Sequence, residues 1–202
     1  MSVELWAAKI ERALTEEEAE IMMALLPAER RERLLRIQEE RRREPLCAYY
    51  ILRCALQEQY GWREFPQIAW TDLGKPYFPE HSEVQFSLSH TGGAVLVGLS
   101  EKPLGVDIEH IRPVSRRSMR RLADVCTEEE FFRCWVRREA RTKRSGDGIA
   151  TMMRSETPLW YGETYYEIET FPGYAAGVAA NSTEVAGTVR RFVLRETPQN
   201  AL

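Results

Sequence analysis

The sequence predicts an α+β protein made of two similar α/β subdomains with pseudo-two-fold symmetry, each a small antiparallel sheet packed against helices. Two observations lead to this prediction. Each half of the chain places a helix ahead of a hairpin that turns at glycine, and no low-complexity linker separates the halves. The 202 residues, 44% of them hydrophobic and 29% charged, suffice for one compact unit. We expect residues 1–103 to form the N-terminal subdomain and residues 104–202 the C-terminal subdomain.

The first half begins with a short strand and continues with helices. A strand is predicted over Ser2–Ile10, and a helix begins at Thr15, because three glutamates follow this threonine as in a capping box. The highly charged stretch Ala28–Glu44 is predicted as one further helix. Pro45 suits the first turn of a helix, so a new helix is predicted from there to about Tyr60, just before a glycine.

Short strands follow these helices. Ile68-Ala69-Trp70 is strand-like and precedes a turn that contains Gly-Lys-Pro. Val84–Ser89 and Ala94–Leu99 flank Thr91-Gly92-Gly93, which predicts a hairpin. The apolar stretch around Asp107 predicts the next strand.

The second half repeats the same order. A helix is predicted from about Thr127 to Thr142, again after a Thr-Glu-Glu-Glu start. Strands over Tyr165–Thr170 and Tyr174–Ala180 then flank the turn Pro172-Gly173. After about Ser182 the sequence predicts no further element.

Composition and charge exclude several classes of function. The net charge of −3 argues against a general nucleic-acid binder, although residues 112–144 contain eleven Arg or Lys against five Asp or Glu. The four cysteines contain no Cys-x-x-Cys pair and suit buried helix positions. No apolar run approaches the roughly 18 residues of a membrane helix, and no signal-peptide pattern follows Met1. We expect a reduced, cytoplasmic protein that binds neither nucleic acid nor membrane.

Asp107 and Glu109 lie two positions apart in an otherwise apolar strand. Alternate residues of a strand share a face, so both carboxylates point the same way, with Val106 and Ile108 opposite. Two residues apart on a strand means a Cα–Cα distance of roughly 7 Å, and like charges this close repel each other unless water screens them or a cation lies between them. Taken alone, an amphipathic edge strand with a solvated face also explains the pattern.

Trp135, Glu139 and Lys143 are spaced four residues apart and therefore share one face of the predicted helix. Taken alone, this pattern also fits a partly buried tryptophan beside a surface Glu–Lys pair. Lysine is rare in this arginine-rich chain, and two of its four lysines, Lys75 and Lys143, fall in candidate motifs. A retained lysine supplies a compact, mobile point charge that arginine does not.

Four motifs in a fixed order carry a resemblance to a known family. Gly-Lys-Pro, FSLSH, GVDIE and WxxxEAxxK, the last followed by Gly146-x-Gly148, resemble the 4′-phosphopantetheinyl transferase superfamily. The chain length and the order of elements look like the Sfp-type branch, over roughly Arg30 to Ala180. The resemblance implies transfer of the phosphopantetheine arm of coenzyme A to a serine of an apo carrier protein, with release of 3′,5′-ADP.

The resemblance also assigns the site residues. It implies that Asp107, Glu109 and Glu139 hold Mg²⁺, which prefers oxygen ligands. Lys143 would contact the phosphate that bridges to the arm, and Glu139, directly or through a metal-bound water, is the candidate base for the serine proton. The positions matched to coenzyme A phosphate contacts are Lys75, Ser89 and His90, with Arg30 and Arg33 at the 3′-phosphate. A solvated helix face is the other interpretation of the two arginines.

The partner implied by the resemblance is an acyl or peptidyl carrier protein, which is acidic around its serine. The arginine-rich stretch would present the complementary surface through Arg116, Arg117, Arg120 or Arg121, unless these side chains are simply solvated. Because the two subdomains are paired within one chain, we expect a monomer.

Three other functions compete with this interpretation. A metal-dependent nuclease also uses clustered acids and a lysine, although its Glu and Lys typically lie two apart on a strand. A catalytically degenerate transferase fold would serve as a binding module, but the four acid and lysine positions above are all present. An arginine-rich nucleic-acid binder conflicts with the acidic total charge.

Overall fold

The computed structural model describes residues 2–148, 159–181 and 183–193. Runs of helices and runs of strands follow one another along the described residues, which confirms the α+β class. One of the two main sheets is mixed, whereas the sequence predicted an antiparallel sheet in each half. The elements are β1 (Ser2–Lys9), α1 (Glu16–Ala24), α2 (Ala28–Leu35), α3 (Glu39–Tyr60), β2 (Ala69–Trp70), β3 (Pro76–Tyr77), β4 (Gln85–Thr91), β5 (Ala94–Ser100), β6 (Gly105–His110), α4 (Arg116–Leu122), α5 (Glu128–Ser145), β7 (Glu163–Glu167), β8 (Tyr174–Asn181) and β9 (Val185–Arg191). Within the described ranges, no helix is long and apolar enough to cross a membrane.

Two sheets form the centre of the molecule. The first has the strand order β4-β5-β1-β9 and the second the order β6-β8-β7. Alternate residues of β1 point to opposite faces, so Trp6 packs with α3 while Leu5 packs against the second sheet, beside Ile108 and Val178. The outer face of the second sheet is covered by α5. Buried apolar clusters between these layers form the core.

The helices of the first half differ from their predicted bounds. The helix at Thr15 is confirmed and has a complete capping box. The prediction of one helix over Ala28–Glu44, followed by a new one at Pro45, is wrong, because α2 ends at Leu35 and α3 runs through the proline. The Arg42 side chain donates to the carbonyl oxygens of Leu34 (3.0 Å) and Ile37 (2.9 Å), and so supports the end of α2. The ten residues after Pro45 include a buried apolar run, whose packing outweighs the one helical hydrogen bond that proline removes.

The strands of the hairpins follow the sequence more closely. The hairpin β4–β5 turns at two glycines as predicted. Strand β7 spans Glu163–Glu167 and not the predicted Tyr165–Thr170, while β8 begins at Tyr174 as predicted, directly after the Pro172-Gly173 turn. The segment after Ser182, for which no element was predicted, contains β9, which pairs in parallel with β1 of the first half. A parallel edge strand is specified by its distant partner and not by its own short sequence pattern.

Gly105 allows α5 to lie directly on β6. A Cβ atom at this position would come within 2.0 Å of the Ala140 carbonyl oxygen and 2.3 Å of the Arg144 nitrogen. Both are backbone atoms of the helix, which cannot rotate away as a side chain can. The absence of a side chain at residue 105 therefore sets the distance between the helix and the sheet.

We expect Gly105→Ala to lower the free energy of unfolding by about 3 kcal/mol, because the helix must move away from the strand. Urea denaturation followed by circular dichroism measures this change. Gly98→Ala is the matched control, since its Cβ would meet the Val106 and Leu104 methyl groups at 2.7 and 2.8 Å, and side chains can shift. We expect the control to cost about 1 kcal/mol, and an equal loss in both variants would contradict the explanation.

Candidate active site

Asp107 is a buried carboxylate at the edge where the two sheets meet. Its side chain is 1% exposed. Oδ1 accepts a hydrogen bond from the Ser89 hydroxyl of β4 (2.7 Å) and another from Nζ of Lys143 (2.6 Å). Oδ2 is also buried and has no hydrogen-bond partner in the described part of the chain. The carboxylate is thus held firmly through one oxygen, while the other is available to a ligand.

Hydroxyl side chains of β4 connect its edge to β6. The Ser87 hydroxyl accepts a hydrogen bond from the Val106 N–H (3.0 Å), and the Ser89 hydroxyl accepts one from the Ile108 N–H (3.3 Å). Serine 89 therefore bonds both the backbone of β6 and the Asp107 carboxylate. The two serine hydroxyls thus serve as acceptors for backbone N–H groups at the edge of β6, where no backbone of a neighbouring strand within the described residues accepts them.

Helix α5 brings Glu139 and Lys143 to the same place. Thr127 caps its start with a complete capping box, and Gly146 ends it in the left-handed conformation (φ 80°). Nζ of Lys143 lies 3.7 Å from Oε2 of Glu139, one helical turn earlier, so the lysine contacts both Glu139 and Asp107. Burial, followed by the negative charge of Asp107, raises the pKa of Glu139 to about 7.

Glu109 lies on the same face of β6 but has other partners. Its Oε2 accepts hydrogen bonds from the Thr91 hydroxyl (3.2 Å) and the Arg112 guanidinium (2.7 Å). Its charge still acts on Glu139, whose pKa it helps to raise. Across residues 2–148, 159–181 and 183–193, no three His, Cys, Asp or Glu side chains lie in a ready metal-binding arrangement. A cation could be held by all three carboxylates if Glu109 released Arg112 and bound the cation instead. Otherwise it would be held by Asp107 and Glu139 alone.

These donors suit a hard divalent cation. The buried Oδ2 of Asp107 and the carboxylate of Glu139 are both oxygen donors, and the negative charge of Asp107 helps to raise the pKa of Glu139. A cation between them would relieve this repulsion. Softer metals prefer sulfur and imidazole donors, whereas the ionised groups at this point are carboxylates.

A cleft of about 460 Å³ opens beside this cluster. Of the residues that the sequence singled out, it is lined by Arg30, Lys75, His90, Glu139 and Lys143. The cleft joins side chains from both halves of the chain. It is therefore a basic groove that leads to the buried Asp107 and the partly buried Glu139.

Lys75 lies in the turn between β2 and β3, and its side chain reaches α5. Its Nζ donates a hydrogen bond to the Arg144 carbonyl oxygen (2.7 Å) at the end of the helix. Burial, and to a smaller extent the charge of Arg144, lowers the pKa of Lys75 to about 8. The Lys75 ammonium therefore begins to lose its proton at a pH just above neutral.

Ser89 and His90 point in opposite directions, as neighbouring strand residues must. His90 lines the cleft, with Nδ1 3.3 Å from Oε2 of Glu44. The hydrogen bond with His90 is the main cause that lowers the pKa of Glu44, whose other oxygen accepts from the Gly93 N–H (2.7 Å). Ser89 is 5% exposed and does not line the cleft, because its hydroxyl is engaged with β6.

Arg30 and Arg33 each stack on an aromatic ring. The Arg30 guanidinium lies 4.0 Å from the ring centre of Tyr49, and that of Arg33 lies 3.7 Å from the ring centre of Trp70. Tyr49 and Trp70 line the cleft, as does Arg30. Burial lowers the pKa of Arg30 from its ordinary value. The stacking fixes both guanidinium groups at this end of the cleft, which a merely solvated helix face would not do.

Sequence reasoning missed four residues of this site: Glu44, Tyr49, Trp70 and Arg112. Trp70 precedes the Gly-Lys-Pro motif by only a few residues, and an aromatic residue beside a basic motif is a usable signal. Glu44 and Tyr49 both lie on α3, but the sequence reasoning ended one helix at Glu44 and began another at Pro45, and so placed them on separate helices.

The predicted arginine surface lies on α4. Arg116, Arg117, Arg120 and Arg121 together line a shallow groove on the outside of this helix. Met119, on its other side, packs in the cluster that contains Phe131 and Phe132 of α5. The arginine surface is thus attached to the helix that carries Glu139.

Comparison with known proteins finds several relatives of one class that are similar to this chain. No family profile matches the chain. The chain is 24% identical to the 4′-phosphopantetheinyl transferase Sfp of Bacillus subtilis (strain 168), over 88% of this chain and 92% of that protein. It is 25% identical to the transferase ffp of Bacillus subtilis, over 76% of this chain and 75% of the relative. The transferase AcpT of Escherichia coli (strain K12) is 34% identical over 40% of this chain and 49% of its own length.

These relatives define one class, the 4′-phosphopantetheinyl transferases, and the motif order within the chain agrees with it. The chain is thus similar to Sfp-like members of the 4′-phosphopantetheinyl transferase superfamily over most of its length.

Proposed function

We propose that the protein transfers the 4′-phosphopantetheine arm of coenzyme A to a serine of an apo carrier protein, in a Mg²⁺-dependent reaction that releases 3′,5′-ADP. The observation that carries the proposal is the meeting of Asp107, Glu139 and Lys143 at one end of a basic cleft. The names of the similar proteins support the same activity. The transfer forms a bond between the serine Oγ and the phosphorus that carries the arm, and breaks the bond from that phosphorus to the bridging oxygen.

The chain's own residues would supply the proton transfer and the charge stabilisation. Glu139, which lines the cleft beside Lys143, is our proposed acceptor of the serine proton, directly or through a water. The ammonium of Lys143, which contacts two carboxylates, would neutralise charge on the departing phosphate. We propose Asp107, Glu109 and Glu139 as the residues that hold Mg²⁺. When bound, the ion would neutralise the pyrophosphate oxygens.

Coenzyme A would lie in the cleft. We propose that Lys75 and His90 contact its phosphates, and that Arg30 and Arg33 contact the 3′-phosphate. The position of Lys75, His90 and Arg30 along the cleft supports this, as does the stacking of both arginines on aromatic rings. Ser89 would contribute through the Asp107 carboxylate that it orients. Since the cleft is lined by α3 and the β2–β3 turn on one side and by α5 on the other, coenzyme A contacts would fall mainly in residues 1–103 and catalysis in residues 104–202.

The carrier protein would dock on the arginine surface of α4. Four arginines on one short helix attract a partner with an acidic surface, and α4 packs on the helix that carries Glu139. The pseudo-two-fold relation of the halves, the monomeric state, the cytoplasmic location and the absence of nucleic-acid and membrane binding stay predictions of the sequence.

We expect the protein, mixed with coenzyme A, Mg²⁺ and an apo acyl or peptidyl carrier protein, to add the phosphopantetheine mass to the carrier. Mass spectrometry of the carrier measures the transfer. Asp107→Asn keeps the shape of the side chain and its bond to Ser89 but removes the charge, so we expect the rate to fall at least ~10²-fold. Asp107→Ala should abolish metal-dependent transfer as well. No mass gain on fatty-acid, polyketide and peptide-synthetase carriers would refute the proposal.

The affinity for coenzyme A should fall as the pH rises through about 8, because Lys75 then loses the charge that attracts the phosphates. Below this pH the ammonium is present and the dissociation constant should be level; above it the constant should rise roughly tenfold per pH unit. Calorimetric titration between about pH 7 and about pH 9.5 measures it. Lys75→Arg keeps its charge over this range, so its profile should be level, and identical profiles would contradict the role of Lys75.

Charge reversal on α4 should weaken docking of the carrier alone. For the double variant Arg117→Glu and Arg121→Glu, we expect the KM for an apo acyl carrier protein to rise at least ~10-fold, with the KM for coenzyme A unchanged. The effect should shrink at high salt. The double variant Arg41→Glu and Arg63→Glu, which changes the same charge at two exposed residues elsewhere, is the control. An equal effect in the control would show that only net charge matters.

A further inference from the structure

One side of α5 is joined to β7 by a row of three contacts. Along the helix, Arg133 pairs with Glu167, Arg137 lies over the ring of Tyr165 at 5.6 Å, and Arg141 pairs with Glu163. The helix contributes every fourth residue and the strand every second residue. These two spacings place successive side chains on one face of each element, so the row follows from the sequence period.

The row lies on the side of α5 opposite the candidate catalytic residues. At roughly 100° of rotation per residue, Arg141 is about 200° around the helix from both Glu139 and Lys143. Ala140, between the two sides, is fully buried and its carbonyl oxygen lies against Gly105 of β6. The helix therefore touches the sheet through small residues at its centre, with Glu139 and Lys143 on one flank and Arg141 on the other.

The innermost contact of the row is a buried ion pair. Nε and Nη2 of Arg141 donate to the two carboxylate oxygens of Glu163 at 2.9 and 3.0 Å. The two side chains are 9% and 2% exposed, whereas those of Arg133 and Glu167 are 61% and 50% exposed. Oε2 of Glu163 also accepts the Trp160 N–H (2.9 Å). Two parallel bonds between planar groups fix orientation as well as distance.

We propose that Arg141 and Glu163 are positioning residues, whose ion pair fixes the rotation of α5 about its own axis and thereby holds Glu139 and Lys143 against Asp107. The apolar contacts of Ala140 and Val136 set the distance between α5 and the sheet, but apolar contacts are not directional and do not fix the rotation of the helix. A rotation of about 10° would move a side-chain end by about 1 Å, given a helix radius of 5–6 Å. A displacement of that size costs up to ~10²-fold in rate. The expected effect on the rate rests on the proposed function, whereas the effect on the position of Glu139 and Lys143 does not.

The decisive variant removes the pair without removing its volume. In the double variant Arg141→Met and Glu163→Leu, both charges are lost together, and apolar replacement of a buried pair is often neutral for stability. We expect an unchanged melting temperature, a kcat about 10- to 100-fold lower, and an unchanged KM for coenzyme A. Mn²⁺ binding, measured by electron paramagnetic resonance without coenzyme A or carrier, should weaken about tenfold because Glu139 and Asp107 are no longer held together.

Two single variants complete the test. Glu163→Asp keeps the charge and should recover part of both kcat and Mn²⁺ affinity, which a purely packing role would not explain. It also serves if the double variant does not fold. Glu167→Gln breaks the exposed pair of the same row and is the matched control, so its kcat and Mn²⁺ affinity should equal those of the wild type.

A folded double variant with wild-type kcat and Mn²⁺ affinity would overturn the proposal, and so would an equal loss in Glu167→Gln. If the double variant does not fold, Glu163→Asp decides the question. Wild-type kcat and Mn²⁺ affinity in Glu163→Asp would then overturn the proposal. A loss of Mn²⁺ affinity in Glu163→Asp that is matched by an equally large loss of melting temperature would overturn it too. Failure of the wild-type protein to modify any carrier would instead refute the proposed function. The Mn²⁺ comparison would still decide whether the pair positions Glu139.

Discussion

Asp107 is a carboxylate with 1% exposure, and a charge removed from water costs several kcal/mol unless hydrogen bonds and an opposite charge replace the water. The replacement comes from two separate elements, the Ser89 hydroxyl of β4 and the Lys143 ammonium of α5. The edge of the first sheet, the edge of the second sheet and the helix must therefore meet at one point. Gly105 permits that meeting, because any side chain there would hold the helix away from β6.

The same meeting point is where stability and function oppose each other. Burial and the charge of Asp107 raise the pKa of Glu139 to about 7, because both disfavour the charged form of the Glu139 carboxyl group. A core optimised for stability alone would not contain these two acids. The surrounding contacts, Lys143 on one flank of α5 and the Arg141–Glu163 pair on the other, keep the arrangement in place.

Local sequence periods were sufficient for much of the site, and distant partners account for what they missed. The alternation of β6 placed Asp107 and Glu109 on one face, and the spacing of four placed Glu139 beside Lys143. The hairpins followed from their glycine turns. No local pattern shows that Ser89 faces Asp107 while His90 faces the cleft, since alternation alone does not say which face is buried. Pro45 inside α3 and the strand β9 depended on packing with residues far along the chain.

The pairing of β9 with β1 joins Ser2 to Val185 and Ala7 to Arg191, and the Phe192 N–H donates to the Ala7 carbonyl oxygen at 2.8 Å. Contacts between such distant residues close late in folding, since the entropy of a very long loop must be lost first. During synthesis on the ribosome, one edge of β1 stays unpaired until residues 185–191 have emerged. Until then it is an open strand edge of the kind that invites mispairing. Within the described residues, β9 thus completes the sheet that contains β1.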